Sequence, residues 1–256
     1  MSERGYQYDF SVDNPAMHST EGRRRKAVTM LAVLGEHLGA EALSNARILN
    51  LGCSTGLIDE VLAEKASEVV GIDIDQVAID AANARPTPAN CRFVQGDAMA
   101  IGFADESFDV VICSQVYEHV PDAGKMISEI HRVLVPGGVC YFAATNRLCV
   151  VEQHYHLPFL SIVPVPLAHL YLRLAGKGRY YHERHLTWWG LRRLVAQFQV
   201  DDYTARLLAA PDRFGVRYMV GSGAKRRLIL AMSRMAYWAF PGYVWLLQRK
   251  ALSKSA

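Results

Sequence analysis

The chain carries no C-x-x-C pair, no internal repeat, no low-complexity tract and no unbroken apolar stretch of the ~20 residues that span a bilayer. Its five cysteines, Cys53, Cys91, Cys113, Cys140 and Cys149, are odd in number and mostly sit inside apolar runs. A disulfide scaffold or a zinc ribbon is not expected from them, and a reducing cytosol is the natural compartment. The uncharged run of residues 157–172 is broken by Pro158, Pro164 and Pro166, and the run 228–247 is interrupted by Arg234 and by Pro241-Gly242. Neither reads as a bilayer-spanning helix. The stretch from Met1 to Gly5 is polar and leads into no signal-like apolar segment, so secretion is not expected.

What is present is an apolar fraction of 51% over 256 residues, enough for one sizeable domain or one domain with a smaller appendage. The net charge of +3 conceals an asymmetry: residues 1–144 sum to −9 and residues 145–256 to +12. A basic excess of that size usually meets nucleic acid, an anionic membrane or a phosphorylated substrate. Nucleic acid is not an expected partner, because no recognised binding module accompanies the charge.

Along the chain, Lys26 to Gly39 has helical spacing and ends at a glycine cap. From Arg47 to Asn146 strands alternate with helices: strands at Ile48–Leu51, Glu68–Ile72, Cys91–Val94, Phe108–Cys113 and Val139–Ala143, helices at Gly56–Lys65, Gln76–Ala84 and around Met126–Leu134. This rhythm predicts an α/β fold with a doubly wound, mostly parallel seven-stranded sheet of Rossmann-like form. Its ligand crevice should lie outside the carboxyl ends of the strands. Residues 1–146 form the N-terminal helices and cofactor-binding core in this reading. Residues 147–186, rich in Pro, His and Tyr with no sustained period, read as a lid or substrate insertion. Residues 187–256 complete the sheet, with a helical insertion at 205–240.

The segment from Ile48 to Gly56 runs from a strand into a helix start, and its small residues admit close approach of a ligand. Asp73, at the end of the next strand, is placed to take two ribose hydroxyls. So far the site would suit NAD or another adenosine ligand. Gly52-Cys53-Ser54-Thr55-Gly56 places its glycines wrongly for a pyrophosphate, however. Gly96-Asp97-Ala98 adds a second acid where an adenine amino group would lie. Ribose, adenine and no phosphate point to S-adenosylmethionine.

Five motifs in order, ILNLGCSTG (48–56), VVGIDIDQVAIDAA (69–82), GDA (96–98), ESFDVVICSQVYEHVPD (106–122) and VLVPGGVCYFAATN (133–146), carry a family resemblance. Over residues 26–146 the chain resembles the class I S-adenosylmethionine-dependent methyltransferases, especially the branch containing ubiquinone-pathway and related small-molecule enzymes. The resemblance implies donor contacts from Gly52, Cys53, Ser54 and Gly56, from Asp73 and Ile74, from Asp97 and Ala98, and from Ser114. Asn50 and Ser54 depart from the family pattern, where many members have Asp and Gly.

For a hydroxyl acceptor, methyl transfer needs alignment, exclusion of water and a base. His119, just past the fourth strand, is the leading base candidate, and His156 joins it from the polar aromatic groups 154–156 and 180–185. The loop Gln115-x-x-Glu118-His119 is similar to a Glu-x-x-Glu-His arrangement that holds a divalent ion in some relatives; with an amide in first position it is a poor hard-cation site, and no metal is expected. Lys225-Arg226-Arg227 beside Trp238, Phe240, Tyr243 and Trp245 matches an interfacial membrane segment, although Trp245 could equally belong to a final core strand. The expectation is thus a cytoplasmic methyltransferase, peripheral at the inner membrane face, acting on a hydroxyl of a small or lipid-like acceptor that is anionic if the basic half faces it. The alternatives are a methyltransferase of a soluble polar metabolite and a non-catalytic donor-binding subunit.

Overall fold

A computed structural model describes residues 7–221 and 223–250. Seven strands form one sheet: β1 (Arg47–Leu51), β2 (Glu68–Asp73), β3 (Cys91–Gln95), β4 (Phe108–Ser114), β5 (Leu134–Thr145), β6 (Gln199–Asp202) and β7 (Gly242–Gln248). Their order is β3-β2-β1-β4-β5-β7-β6. The first five pair in parallel, and β7 runs antiparallel to both neighbours. The doubly wound, mostly parallel sheet expected from the strand–helix rhythm is therefore present. Its topological switch falls between β1 and β4, so the crevice opens at their carboxyl ends.

Helices cover both faces. They are α1 (Phe10–Asp13), α2 (Thr20–Leu38), α3 (Ala40–Asn45), α4 (Leu57–Ala63), α5 (Gln76–Asn83), α6 (Ala123–Val133), α7 (Val165–Leu174), α8 (Trp188–Leu194), α9 (Thr204–Ala209), α10 (Arg217–Val220) and α11 (Gly223–Met235). Several begin where side-chain oxygens accept a backbone N–H at the first turn: Ser19 for α2, Asp75 for α5, Asp122 for α6 and Thr187 for α8. The period-two alternation of each strand divides the core in two. Ile48, Val69, Val110 and Val139 face the α2–α4 side, whereas Leu49, Val70, Val111 and Cys140 face the α6–α8 side. On α6, Met126, Ile127, Ile130 and Val133 are buried, each side chain contributing roughly 1.5–3 kcal/mol.

Three features differ from the sequence expectation. Residues 147–186 are not aperiodic throughout, because α7 forms within them and packs Ala168 and Leu172 with Leu160 and Tyr181 into a small core of its own. Its pattern is obscured by the prolines at its start. The strand anticipated at residue 139 begins at Leu134 and includes Gly137-Gly138, since a Cβ at Gly138 would meet the Asp109 carbonyl oxygen at 2.9 Å. Finally, α1 and a short turn at Pro15–His18 precede α2 and fold over the crevice. Residues 1–5, read above for secretion, lie outside the described residues. Among the described residues no helix is long and apolar enough to cross a membrane.

Candidate active site

A cavity of about 510 Å³ lies at the carboxyl end of the sheet. Gly52, Ser54, Asp73, Ile74, Asp97, Ala98 and Ser114, all anticipated from the motifs, line it together with His119 and His156. Cys53 and Gly56, expected with them, do not. The Cys53 side chain is buried in the α4 side of the core. Gly56, at φ 75°, starts α4 against Phe93, where a Cβ would meet the ring at 2.4 Å.

The loop after β1 is shaped by left-handed backbone. Gly52 has φ 67°, and a Cβ there would approach Val116 Cγ2 to 2.9 Å. Ser54 has φ 50°, a conformation that explains why glycine is an easier choice at that place. The Ser54 N–H donates to Asp73 Oδ2 at 2.7 Å, and the Asp75 N–H donates to Asp73 Oδ1 at 3.0 Å. Burial raises the Asp73 pKa, while these two backbone donors pull it back. Each carboxylate oxygen keeps a lone pair for a further donor, as two vicinal hydroxyls would require. The Ser54 hydroxyl is buried without a hydrogen-bond partner among the described residues.

Asn50, which departs from the family pattern, is turned away from the site. It does not line the cavity; its amide donates to Asp59 Oδ2 at 2.8 Å beneath the loop. Asp59 is fully buried on α4, and burial pushes its carboxyl up to about 8, against the Asn50 hydrogen bond that lowers it.

The N-terminal segment supplies wall residues that no motif announced. Gln7, Phe10, Asn14 and Met17 line the cavity, with Arg23 and Lys26 from α2. Thr55 Oγ1 donates to the Met17 carbonyl at 3.0 Å and the Ser11 N–H donates to Asp75 Oδ2 at 2.8 Å, tying this segment to the loops after β1 and β2. Burial lowers the pKa of both Arg23 and Lys26; Asp59 and Asp73 face Arg23, and Glu118 faces Lys26. The available signal was the basic run Arg23–Lys26, which reads in isolation as a solvated helix face.

Beyond β4, the chain between residues 117 and 119 meets residues 152–156 and 183–185. Tyr117 donates to the Thr145 carbonyl at 2.5 Å and accepts from the Leu186 N–H at 3.1 Å, locking the loop to the far segment. Glu118 is fully buried, and neither carboxylate oxygen has a hydrogen-bond partner among the described residues; burial pushes its pKa up to about 7. The His119 ring lies edge-on to Phe10 at 5.0 Å and to His154 at 4.9 Å, and Gln7 Nε2 donates to its carbonyl. Burial, with the charges of His154 and His185, pushes His119 down to about 3. Glu152 is buried and accepts the His154 and Tyr155 N–H groups at 2.8 Å each. Its Oε1 lies 2.7 Å from His154 Nδ1 and 3.4 Å from His185 Nε2. Ligand atoms of Glu118, His119 and His154 fall within 4.8 Å of one another, close enough for a shared cation, and so do those of Glu152, His154 and His185, which already share hydrogen bonds.

A second cavity of about 210 Å³ adjoins the first through His119 and Val120. Val165, His169, Tyr180, Tyr181, His182 and Arg184 line its far side. His169 accepts the Tyr181 N–H at 2.9 Å on Nδ1 while lining this cavity.

Residues 49–142 match the family described as a methyltransferase domain. A ubiquinone biosynthesis O-methyltransferase of Psychrobacter arcticus is 28% identical over 151 residues, covering 57% of this chain and 55% of the relative. Another of that name, from Pseudomonas syringae pv. tomato, is 32% identical over 108 residues, covering 41% and 47%. The chain spans about half the length of the curated relatives it matches. An S-adenosylmethionine-dependent methyltransferase from Mesorhizobium loti superposes with a TM-score of 0.57 at 17% identity, covering 90% of this chain and 98% of the other, a likeness of fold. The domain match over residues 49–142, with the strand order, makes this part of the chain a methyltransferase domain similar to those of the class I S-adenosylmethionine-dependent enzymes.

Proposed function

We propose that the protein transfers the methyl group of S-adenosylmethionine to a hydroxyl of a small, lipid-like acceptor. The observation that carries this reading is the pair of adjacent cavities, one walled by the loop after β1 and Asp73, the other by aromatic and imidazole side chains, which share His119 and Val120 in their walls. The first fits the donor: Gly52 leaves room for close approach, Asp73 offers two oxygens to the ribose, and Asp97 with Ala98 adjoins the adenine end. Arg23 and Lys26 offer cations to the donor carboxylate, and the orphaned Ser54 hydroxyl gains a partner when the loop is covered. When bound, the donor supplies an electrophilic methyl on a sulfonium. The chain aligns the acceptor oxygen with it, excludes water through the α1 segment, and takes up the hydroxyl proton.

A lipid-like acceptor is supported by the surface around the second cavity. Phe159, Leu167, Leu170 and Leu174 are exposed on and beside α7, and the basic residues Arg173, Lys177 and Arg179 are exposed next to them. That pairing suits an anionic membrane face, from which an apolar acceptor would enter. The C-terminal basic cluster supports it less. Tyr243 and Trp245 are buried in the sheet, Arg226 donates to the Ala209 carbonyl at 2.5 Å, and the Lys225 side chain lies outside the described residues. Incubation of the protein with methyl-labelled S-adenosylmethionine and the organic extract of a lysate tests the reading. Label in an organic-extractable product is expected, and label appearing only in water-soluble products would favour the polar-metabolite alternative.

A further inference from the structure

We propose that His154, held by the buried carboxylate of Glu152, is the group that accepts the acceptor hydroxyl's proton, while His119 braces the loop beside it. This rests on the methyltransfer reading above and assigns one of its steps to this chain's own residues.

Three imidazoles line the first cavity, His119, His154 and His156, and their surroundings separate them. The His154 Nδ1 lies 2.7 Å from Glu152 Oε1, which fixes Nδ1 as the protonated nitrogen and leaves Nε2 with its lone pair for the cavity. Glu152 is itself held, with Oε2 accepting the His154 and Tyr155 N–H groups at 2.8 Å. A carboxylate so fixed orients the ring and stabilises the imidazolium that forms, the relation of acid to histidine in nucleophile–base–acid triads. His119 has two aromatic rings at 5.0 and 4.9 Å, and its low basicity makes it a poor proton acceptor. His156 has backbone φ 56°, and its N–H donates to the Glu152 carbonyl at 2.9 Å; among the described residues no carboxylate contacts its ring. The groups facing His154 are the carboxylates of Glu152, Glu183 and Glu118 and the rings of His119 and His185. Burial works against its protonation, but the Glu152 hydrogen bond and the neighbouring carboxylates outweigh it, so its pKa lies above the ordinary value.

In the step, an acceptor oxygen lone pair forms the O–CH₃ bond as the C–S bond breaks and its electron pair remains on sulfur. The hydroxyl proton passes to His154 Nε2, and the imidazolium, paired with Glu152, releases it to solvent afterwards. Electrons and charge balance: the sulfonium becomes a neutral thioether as the proton is taken up.

The test has a readout that needs neither donor nor acceptor. Histidine NMR titration of the protein, assigned with His154→Gln, should show His154 titrating above its ordinary value of 6.5 and falling in Glu152→Gln. A His154 that titrates below 6.5, or is unmoved by Glu152→Gln, overturns the dyad. With labelled donor and the organic extract, His154→Ala should lower transfer by about 10²–10⁴, far more than it lowers donor affinity by calorimetry, and added imidazole should restore part of it. Glu152→Gln should lower the plateau and move the rising limb of the pH profile to lower pH. Transfer by His154→Ala equal to wild type overturns the proposal while leaving the methyltransfer reading intact, whereas wild-type protein that transfers no label fails that reading instead. Loss of wild-type transfer on chelation, restored by zinc, also overturns it, making His154 a ligand rather than a base.

Discussion

Removing the Asp73 carboxylate should separate the proposed ribose contact from the hold on the loop after β1. Asp73 accepts the Ser54 N–H at 2.7 Å and the Asp75 N–H at 3.0 Å, and it lines the donor cavity. Hydrogen bonds to a charged group contribute roughly 1.5–3 kcal/mol each, so two ribose hydroxyls left without it should cost about 2–4 kcal/mol after partial replacement by water. That is a loss of roughly 30- to 1000-fold in donor affinity for Asp73→Ala. The loop contribution appears separately: Ser54 stays in its left-handed conformation with no carboxylate to hold its N–H, so the denaturation midpoint should fall as well. Asp73→Asn keeps the shape and one carbonyl oxygen and should fall between the two proteins in both measurements. Calorimetric titration with S-adenosylmethionine gives the affinity, and urea unfolding followed by circular dichroism gives the stability. A folded Asp73→Ala protein that binds the donor as wild type does would refute the placement of the ribose.

Gly56→Ala should destabilise the protein by roughly 1–3 kcal/mol, because φ is 75° and the new Cβ would lie 2.4 Å from Phe93; an unchanged urea midpoint would contradict this. The buried Asp59, with its carboxyl raised from 3.8 to about 8, binds a proton in the folded state that the unfolded chain has released, so its contribution to stability declines as pH rises from about 4 to about 8. Asp59→Asn should remove that decline, and parallel pH–stability curves for the two proteins would show that the carboxyl is not perturbed. Replacing Leu167, Leu170 and Leu174 by Ser should weaken co-sedimentation with anionic vesicles, and raising the salt should weaken it further; equal partition onto neutral and anionic vesicles would exclude a charged membrane face.

Much of this protein is legible in one dimension because its first half obeys local rules. Apolar strand segments alternate with capped amphipathic helices, and the residues at each strand's carboxyl end, Gly52, Asp73, Asp97 and Ser114, must converge once the strands run parallel. Cavity placement of those four follows from chain order and the right-handed crossover alone. What the sequence could not decide is which way a side chain turns and what arrives from elsewhere. Asn50 sits on the donor strand yet points to Asp59, because strand alternation sends it beneath the loop. Phe10, Arg23 and Lys26 reach the cavity from outside the motif-bearing region. Most of all, the setting of each histidine is a tertiary property. His119 is adjacent to Glu118 in sequence but buried among rings, whereas His154 is made basic by Glu152 two residues away and by carboxylates at positions 118 and 183. Proton affinity depends on burial and on charges brought near through space, and neither is written in the spacing of the residues that carry it.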